Sequence, residues 1–155
     1  EMYSFHRDML PLLDSLRHLA GDKPVRSVLQ TQRDGVRGEM ETAERALDLL
    51  GAHYKMEHSI LAAGLKEDSD RFRHRESPER ALLEVHALLV ALIAAGIARS
   101  KYQAAMVMAQ AIGEQDMARL LEEMDGREVT GQGDLGELLP QLIQEINARE
   151  IRRAA

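Results

Sequence analysis

The chain has 155 residues and no cysteine, a length that suits one domain and buries a core without cross-links. Missing cysteine excludes a disulfide framework, an iron–sulfur cluster, a thiolate zinc site and a cysteine nucleophile. The formal net charge of −6 argues against broad nucleic-acid binding, which is gripped through clustered Lys and Arg. Apolar residues make up 45% and aromatics only 3%, so Leu, Ala, Ile, Val and Met fill the core. That mixture favours helices and leaves no sheet to expect.

The greasiest segment, Ala87 to Ala98, runs into Arg99 and Lys101 and falls short of the roughly 20 apolar residues that span a bilayer. At the start His6, Arg7 and Asp8 interrupt any signal-peptide pattern. A soluble, cytoplasmic protein without membrane contact is expected.

Ser4 is read as the N-cap of a first helix running to about Leu19, with Phe5, Met9, Leu12, Leu13 and Leu16 at helical spacing and a bend at Pro11. Gly21-Asp22-Lys23-Pro24 stops it and starts the next: Asp22 caps, and Pro24 needs no donor in a first turn. The second helix, Pro24 to Leu50, carries Val25, Val28, Leu29, Val36, Met40, Ala43, Leu47 and Leu50 on one face and ends at Gly51. From Gly51 to Ser77 a crossover holds a shorter helix marked by Met56, Ile60, Leu61 and Leu65, then the charged run Lys66 to Glu76.

Ser77 and Pro78 open a long third bundle helix, with Leu82, Val85, Leu88, Leu89, Leu92, Ile93, Tyr102 and Met106, which Gly113 ends. A fourth begins near Asp116 with Met117, Leu120, Leu121 and Met124. Gly126, Gly131 and Gly133 each cost about 1 kcal/mol relative to Ala in a helix, so a break is expected there. Asp134 then caps a last segment with Leu135, Leu139, Leu142, Ile143, Ile146 and Ile151, bent at Pro140. Two antiparallel pairs joined by a long crossover describe one all-α, ferritin-like four-helix bundle over residues 1–155, with a C-terminal helical segment added.

Several stretches resemble the YciE/YciF-like group of ferritin-like bacterial stress proteins. They are Glu44-Arg45-Ala46-Leu47-Asp48-Leu49-Leu50-Gly51, the segment Lys55 to Glu67 with Ala63-Gly64-Leu65-Lys66-Glu67, Ala91-Leu92-Ile93-Ala94-Ala95 with Tyr102, and Ala111-Ile112-Gly113 leading to Leu120-Leu121-Glu122-Glu123. The resemblance implies a ferritin-like fold and a carboxylate and histidine cluster for two metal ions inside the bundle. Such a centre takes Glu-x-x-His pairs, since residues three apart clamp one ion from the same helix face. This sequence has no Glu-x-x-His.

At the positions the resemblance assigns to ligands stand Gln32, Gly35 and Glu39 in the second helix, Ser100 and Lys101 in the third, His6 in the first, and Asp125 and Glu128 in the fourth. The expected reading is a degenerate bundle with no metal site. The alternative is a sparse site of His6, Glu39 and Glu128 holding iron or manganese in an oxidoreductase or iron-handling protein.

Gln32 and Glu39 lie seven residues apart on the apolar seam of the second helix. They are read as a buried polar cluster with Ser100, Lys101 or Gln103, and Lys101 as the ion-pair partner of Glu39. The run Arg71-Phe72-Arg73-His74-Arg75 is diluted by Glu67, Asp68, Asp70 and Glu76 and reads as a solvated crossover, not a phosphate site. His53 and His58, five apart, are spaced wrongly for one helical face, and neither a glycine-rich phosphate loop nor a Gly-x-Ser-x-Gly elbow occurs. The expected role is structural or interactive, linked by the resemblance to stress, in a homodimer built through surplus apolar surface such as the last segment; a second protein is the other partner considered.

Overall fold

The computed structural model describes residues 1–49, 57–74 and 79–154. Five helices follow in order: α1 (Met2–Leu19), α2 (Lys23–Leu49), α3 (Ile60–His74), α4 (Arg80–Ala111) and α5 (Gln115–Ala154), and no strand occurs among the described residues. Around the bundle, α1 packs on α2, α2 on α5, α5 on α4 and α4 on α1, while α3 crosses the outside of α1 and α4. This is the ferritin-like arrangement, with α3 inside the long connection between the two hairpins. The expected helix signals at Leu50, Gly51, Met56, Ser77 and Pro78, and His53 and Arg75, lie outside the described residues.

The Asp22 signal is used as read: its Oδ1 accepts the amide of Val25 at 3.2 Å in the first turn of α2. Glu84 of α4 completes the turn from across the bundle. Its Oε1 accepts the amides of Gly21 and Asp22, both at 2.7 Å. The chain reverses after α4 at Gly113, whose φ of +85° is the left-handed conformation that glycine adopts without a Cβ penalty. Ser4 does not cap α1, which begins at Met2 with Glu1 before it, and Ser4 is buried within the first turns.

Two expectations are corrected. Helix α5 passes through Gly126, Gly131 and Gly133 without a break, and Asp134 and Pro140 lie within its 40 residues. Tertiary packing outweighs the glycine penalty, because Leu121, Met124, Glu128 and Leu135 on one face are buried against the bundle. Gly131 also has a packing reason: the Gln32 amide stands where its Cβ would be, with Nε2 2.2 Å from that position. Gly126, Gly133 and Gly136 are exposed and have no atom within 4 Å of a built Cβ. Changing all three to Ala is therefore expected to stabilise the fold by about 1.5 to 3 kcal/mol, at roughly 0.5 to 1 each. Thermal melts followed by circular dichroism check it, and an unchanged midpoint contradicts a continuous α5.

The second correction concerns α4, which by length and composition is apolar enough to cross a membrane. Between Glu84 and Arg99 it carries no charged side chain. In this fold that apolar helix is in the bundle core, where Ala87, Leu88, Val90, Ala91, Ala94, Ala95 and Ala98 are buried. Small alanines let α1, α2 and α5 approach closely, and Phe5, Met9, Leu13, Leu16, Leu29 and Leu135 fill the seam between them.

Candidate polar centre of the bundle

In the part of the bundle where α1 begins, the hydrocarbon is interrupted by four buried polar side chains, one from each long helix: His6 of α1, Glu39 of α2, Tyr102 of α4 and Glu128 of α5. Each sits one or two turns from residues packed in the core, such as Met9, Val36, Ala98 and Met124. Helical periodicity thus aims all four at the same axis.

The Tyr102 hydroxyl lies 2.5 Å from His6 Nε2 and donates to Glu39 Oε2 at 2.7 Å. His6 Nε2 is itself 3.1 Å from Glu39 Oε2. On its other side the imidazole Nδ1–H donates to the Met2 carbonyl at 2.8 Å. Because a carbonyl only accepts, that bond places a proton on Nδ1 and directs Nε2 into the cluster. The His6 and Tyr102 rings lie parallel, 5.6 Å apart between centroids, which holds both heads in register.

Glu128 hydrogen-bonds Glu39 through its carboxyl, and its other oxygen, Oε2, is buried with no hydrogen bond. Burial, then the charge of neighbouring Glu39, pushes its carboxyl up to about 9. Burial and Glu39 likewise drive the Tyr102 phenol upward, so it stays a donor. At neutral pH the centre therefore holds one more proton than two free carboxylates would.

His6, Glu39 and Glu128 each offer one ligand atom, all within 4.8 Å of one another. One imidazole and two carboxylates suit a single divalent cation. They do not fit a dinuclear centre. The void beside His6, Gln32 and Glu128 measures about 10 Å³, the Tyr102 hydroxyl occupies the space beside His6 Nε2 and Glu39 Oε2, and α4 adds no carboxylate there.

The polar cluster read around Lys101 is not what forms. Lys101 ion-pairs with Glu1 at 3.1 Å and lies 5.2 Å over the Phe5 ring, away from Glu39. Adjacent helical residues project about 100° apart, so with Tyr102 inward Lys101 turns outward. Ser100 is exposed and donates to the Gly96 carbonyl at 2.9 Å, and exposed Gln103 donates to Asp125 at 3.3 Å. Asp125 itself takes Arg99 at 3.1 Å. Gln32 is buried against Gly131.

Tyr102 is the member of the centre that sequence reasoning missed as a functional group. The one available signal was a lone tyrosine in an otherwise aliphatic helix, whose hydroxyl needs a partner once buried.

In the crossover, Arg71 pairs with Glu67, Arg73 reaches Asp70 at 3.4 Å and Ser15 at 3.3 Å, and Phe72 stacks on His86 at 4.2 Å between centroids. His58 is exposed and lies 3.3 Å from Asp8. Burial opposes the charge of Asp8, yet the Arg7 guanidinium and the Ser59 amide hold its carboxyl below the usual range. Asp8 thereby ties the start of α3 to α1, with the Ser59 amide donating to it at 2.7 Å.

An all-α bundle of two hairpins and a long crossover defines the ferritin-like class. The chain belongs to the DUF892 family, a domain of unknown function, whose family model matches residues 1–148. Among solved structures it is similar to the Escherichia coli stress protein YciF, with a TM-score of 0.83, 15% identity and coverage of 92% of this chain and 89% of that one. It is also similar to YcfI, "a putative structural protein from Rhodopseudomonas palustris", with a TM-score of 0.81, 15% identity and coverage of 88% and 86%. At these identities the likeness is one of fold. No curated protein matches the sequence.

Proposed function

We propose that this chain is a non-catalytic ferritin-like protein with a structural or interaction role, in which a hydrogen-bonded quartet stands in for a dinuclear centre. The observation that supports it is the Tyr102 hydroxyl, placed within hydrogen-bond distance of both His6 Nε2 and Glu39 Oε2. A phenol there neutralises by hydrogen bonding what a cation would neutralise by charge. With Glu128 holding a proton, the quartet needs no ion to be stable in the low-dielectric core.

The interaction part of the reading rests on the outer face of α4. Leu82, Leu89 and Ile93 are exposed there, and Val85, Leu92 and Ile97 are half-buried. An uncharged stripe of that length is the kind of surface that a second copy covers. Homodimerisation through it, residence in the cytoplasm and a part in a stress response, as named for YciF, complete the proposal.

A second reading is favoured by the unpartnered Glu128 Oε2 and by the His6 tautomer, which is the one that metal-binding imidazoles present. In it, one iron or manganese ion would be held by His6, Glu39 and Glu128, and would supply redox chemistry toward oxygen or peroxide. Elemental analysis of protein purified without chelator separates the two. The proposal expects well under one metal per chain and no peroxide turnover with added iron or manganese. One equivalent of metal, lost in Glu39→Ala, would install the second reading. Light scattering should show twice the chain mass, reduced to one chain in Ile93→Glu with helicity unchanged.

A further inference from the structure

Helix α3 lies across the bundle with little of itself inside it. Ala62 and Ser69 are its only buried residues, Leu65 and Phe72 are half-buried, and Ile60 and Leu61 are exposed. A helix that buries so little is kept in place by what holds its two ends. At the near end Asp8 accepts the Ser59 amide at 2.7 Å, with His58 3.3 Å from the same carboxylate. At the far end Arg73 donates to Ser15 at 3.3 Å, and the Phe72 ring lies flat on His86 of α4, 4.2 Å between centroids and 10° between planes.

The far seam is poor in hydrogen bonds. His86 Nε2 is buried with no partner, and so is the Oγ of Ser69, one turn before Phe72 on the same face of α3. A neutral imidazole can leave that nitrogen bare; an imidazolium makes it a charged donor with no acceptor in reach. Burial accordingly holds the His86 ring below its ordinary range, against the pull of Asp68. The other described charges around the seam are engaged: Arg73 with Asp70 on α3, Asp14 with Arg17 and Arg33 beneath it. On α4 itself Glu84 accepts the Gly21 and Asp22 amides, and Arg80 stands 3.9 Å from it. At matching height α5, antiparallel to α4, carries no charge from Leu138 to Gln144. The near end answers acid in the opposite sense, since positive charge on His58 draws it to Asp8.

We propose that α3 is a pH-sensitive strap: the stack of Phe72 on His86 latches its far end to α4 at neutral pH, and proton uptake by His86 unlatches it, baring the face of α1 and α4 that α3 crosses. A freed imidazole takes up its proton around pH 6.5 and the docked one at a lower pH. Between those values the freed state holds a proton that the docked state lacks, so docking weakens as pH falls, by up to about tenfold per unit. Above 6.5 both states are neutral and the latch is closed. The device is separate from the quartet and does not depend on whether a metal is bound there.

The test uses the whole chain carrying Phe72→Trp, which gives a protein without tryptophan a single indole at the latch. From pH 7.5 to 5.0 its emission maximum should move toward that of indole in water, with a midpoint below 6.5, while circular dichroism loses no more than the share of α3. Adding His86→Leu keeps an apolar platform for ring 72 and takes away the proton, and should abolish the movement. An emission maximum that stays fixed, or one that moves equally with His86→Leu, overturns the proposal. Should Phe72→Trp fail to fold, deuterium uptake of the parent decides. Corrected for intrinsic exchange rate, uptake over residues 60–74 should rise as pH falls below 6.5, by up to about tenfold per unit, with α1 unaffected. Equal behaviour of α1 and α3, or the same rise in His86→Leu, overturns it as well.

Discussion

Replacing Glu128 by Gln should raise stability at pH 8 and flatten its dependence on pH between about 5 and 9. In the folded chain Glu128 keeps its proton up to about 9, against 4.5 for the free group. Below 4.5 the carboxyl is protonated in both states and imposes no pH dependence. Above it, the unfolded chain releases a proton that the folded chain still holds. Folding is then progressively disfavoured as pH rises, by up to about 1.4 kcal/mol per pH unit, until the folded group also ionises near 9. Glutamine imitates the protonated carboxyl in shape and in its ability to donate to Glu39, and it does not titrate. Urea titrations of both proteins at pH 5, 6.5 and 8 measure the slope. Curves that run parallel would show that Glu128 is ionised in the native core.

The second large effect is expected at Tyr102. Phenylalanine keeps the ring, which packs wholly buried, and removes only the hydroxyl, so Glu39 Oε2 loses its donor and His6 Nε2 its nearest polar neighbour in a site closed to water. Each stranded polar group costs about 1 to 3 kcal/mol. The sum, roughly 2 to 6 kcal/mol, lowers the melting midpoint of a chain this size by about 5 to 20 °C. Making Glu39 and His6 leucine in the same protein should recover part of the loss, because only Glu128 of the quartet is then left without its partner and apolar replacement is cheaper than orphaning a group. Calorimetry of the single and triple variants decides it: a Tyr102→Phe protein as stable as the parent would mean that the phenol carries no structural load.

Much of the fold was legible because its signals are local. Gly21-Asp22-Lys23-Pro24 and Gly113 each punctuate the chain through backbone chemistry that needs no knowledge of neighbours. Apolar residues at helical spacing did the same for the faces of α1, α2 and α4. The reading went astray where distant contacts decide. Gly126 and Gly133 look like breakers until the buried Met124, Glu128 and Leu135 before, between and after them are seen on a helix held by α2 and α4.

The polar centre shows the same division. His6, Glu39 and Glu128 were placed together by their positions along resembling helices, and the structure sets them around one point. The neutralising group was expected to be Lys101 and stands one residue on, at Tyr102. A difference of one residue is a rotation of 100° on a helix, and composition gives no means of fixing that angle.

The carboxylate of Glu84 reaches from the second hairpin to the two amides at the apex of the first. Those two amide protons are consequently a private gauge of hairpin docking. They exchange with solvent only when α1 and α2 swing away from α4, however intact each hairpin remains, so deuterium uptake at Gly21 and Asp22 separates parting of the halves from melting of the helices.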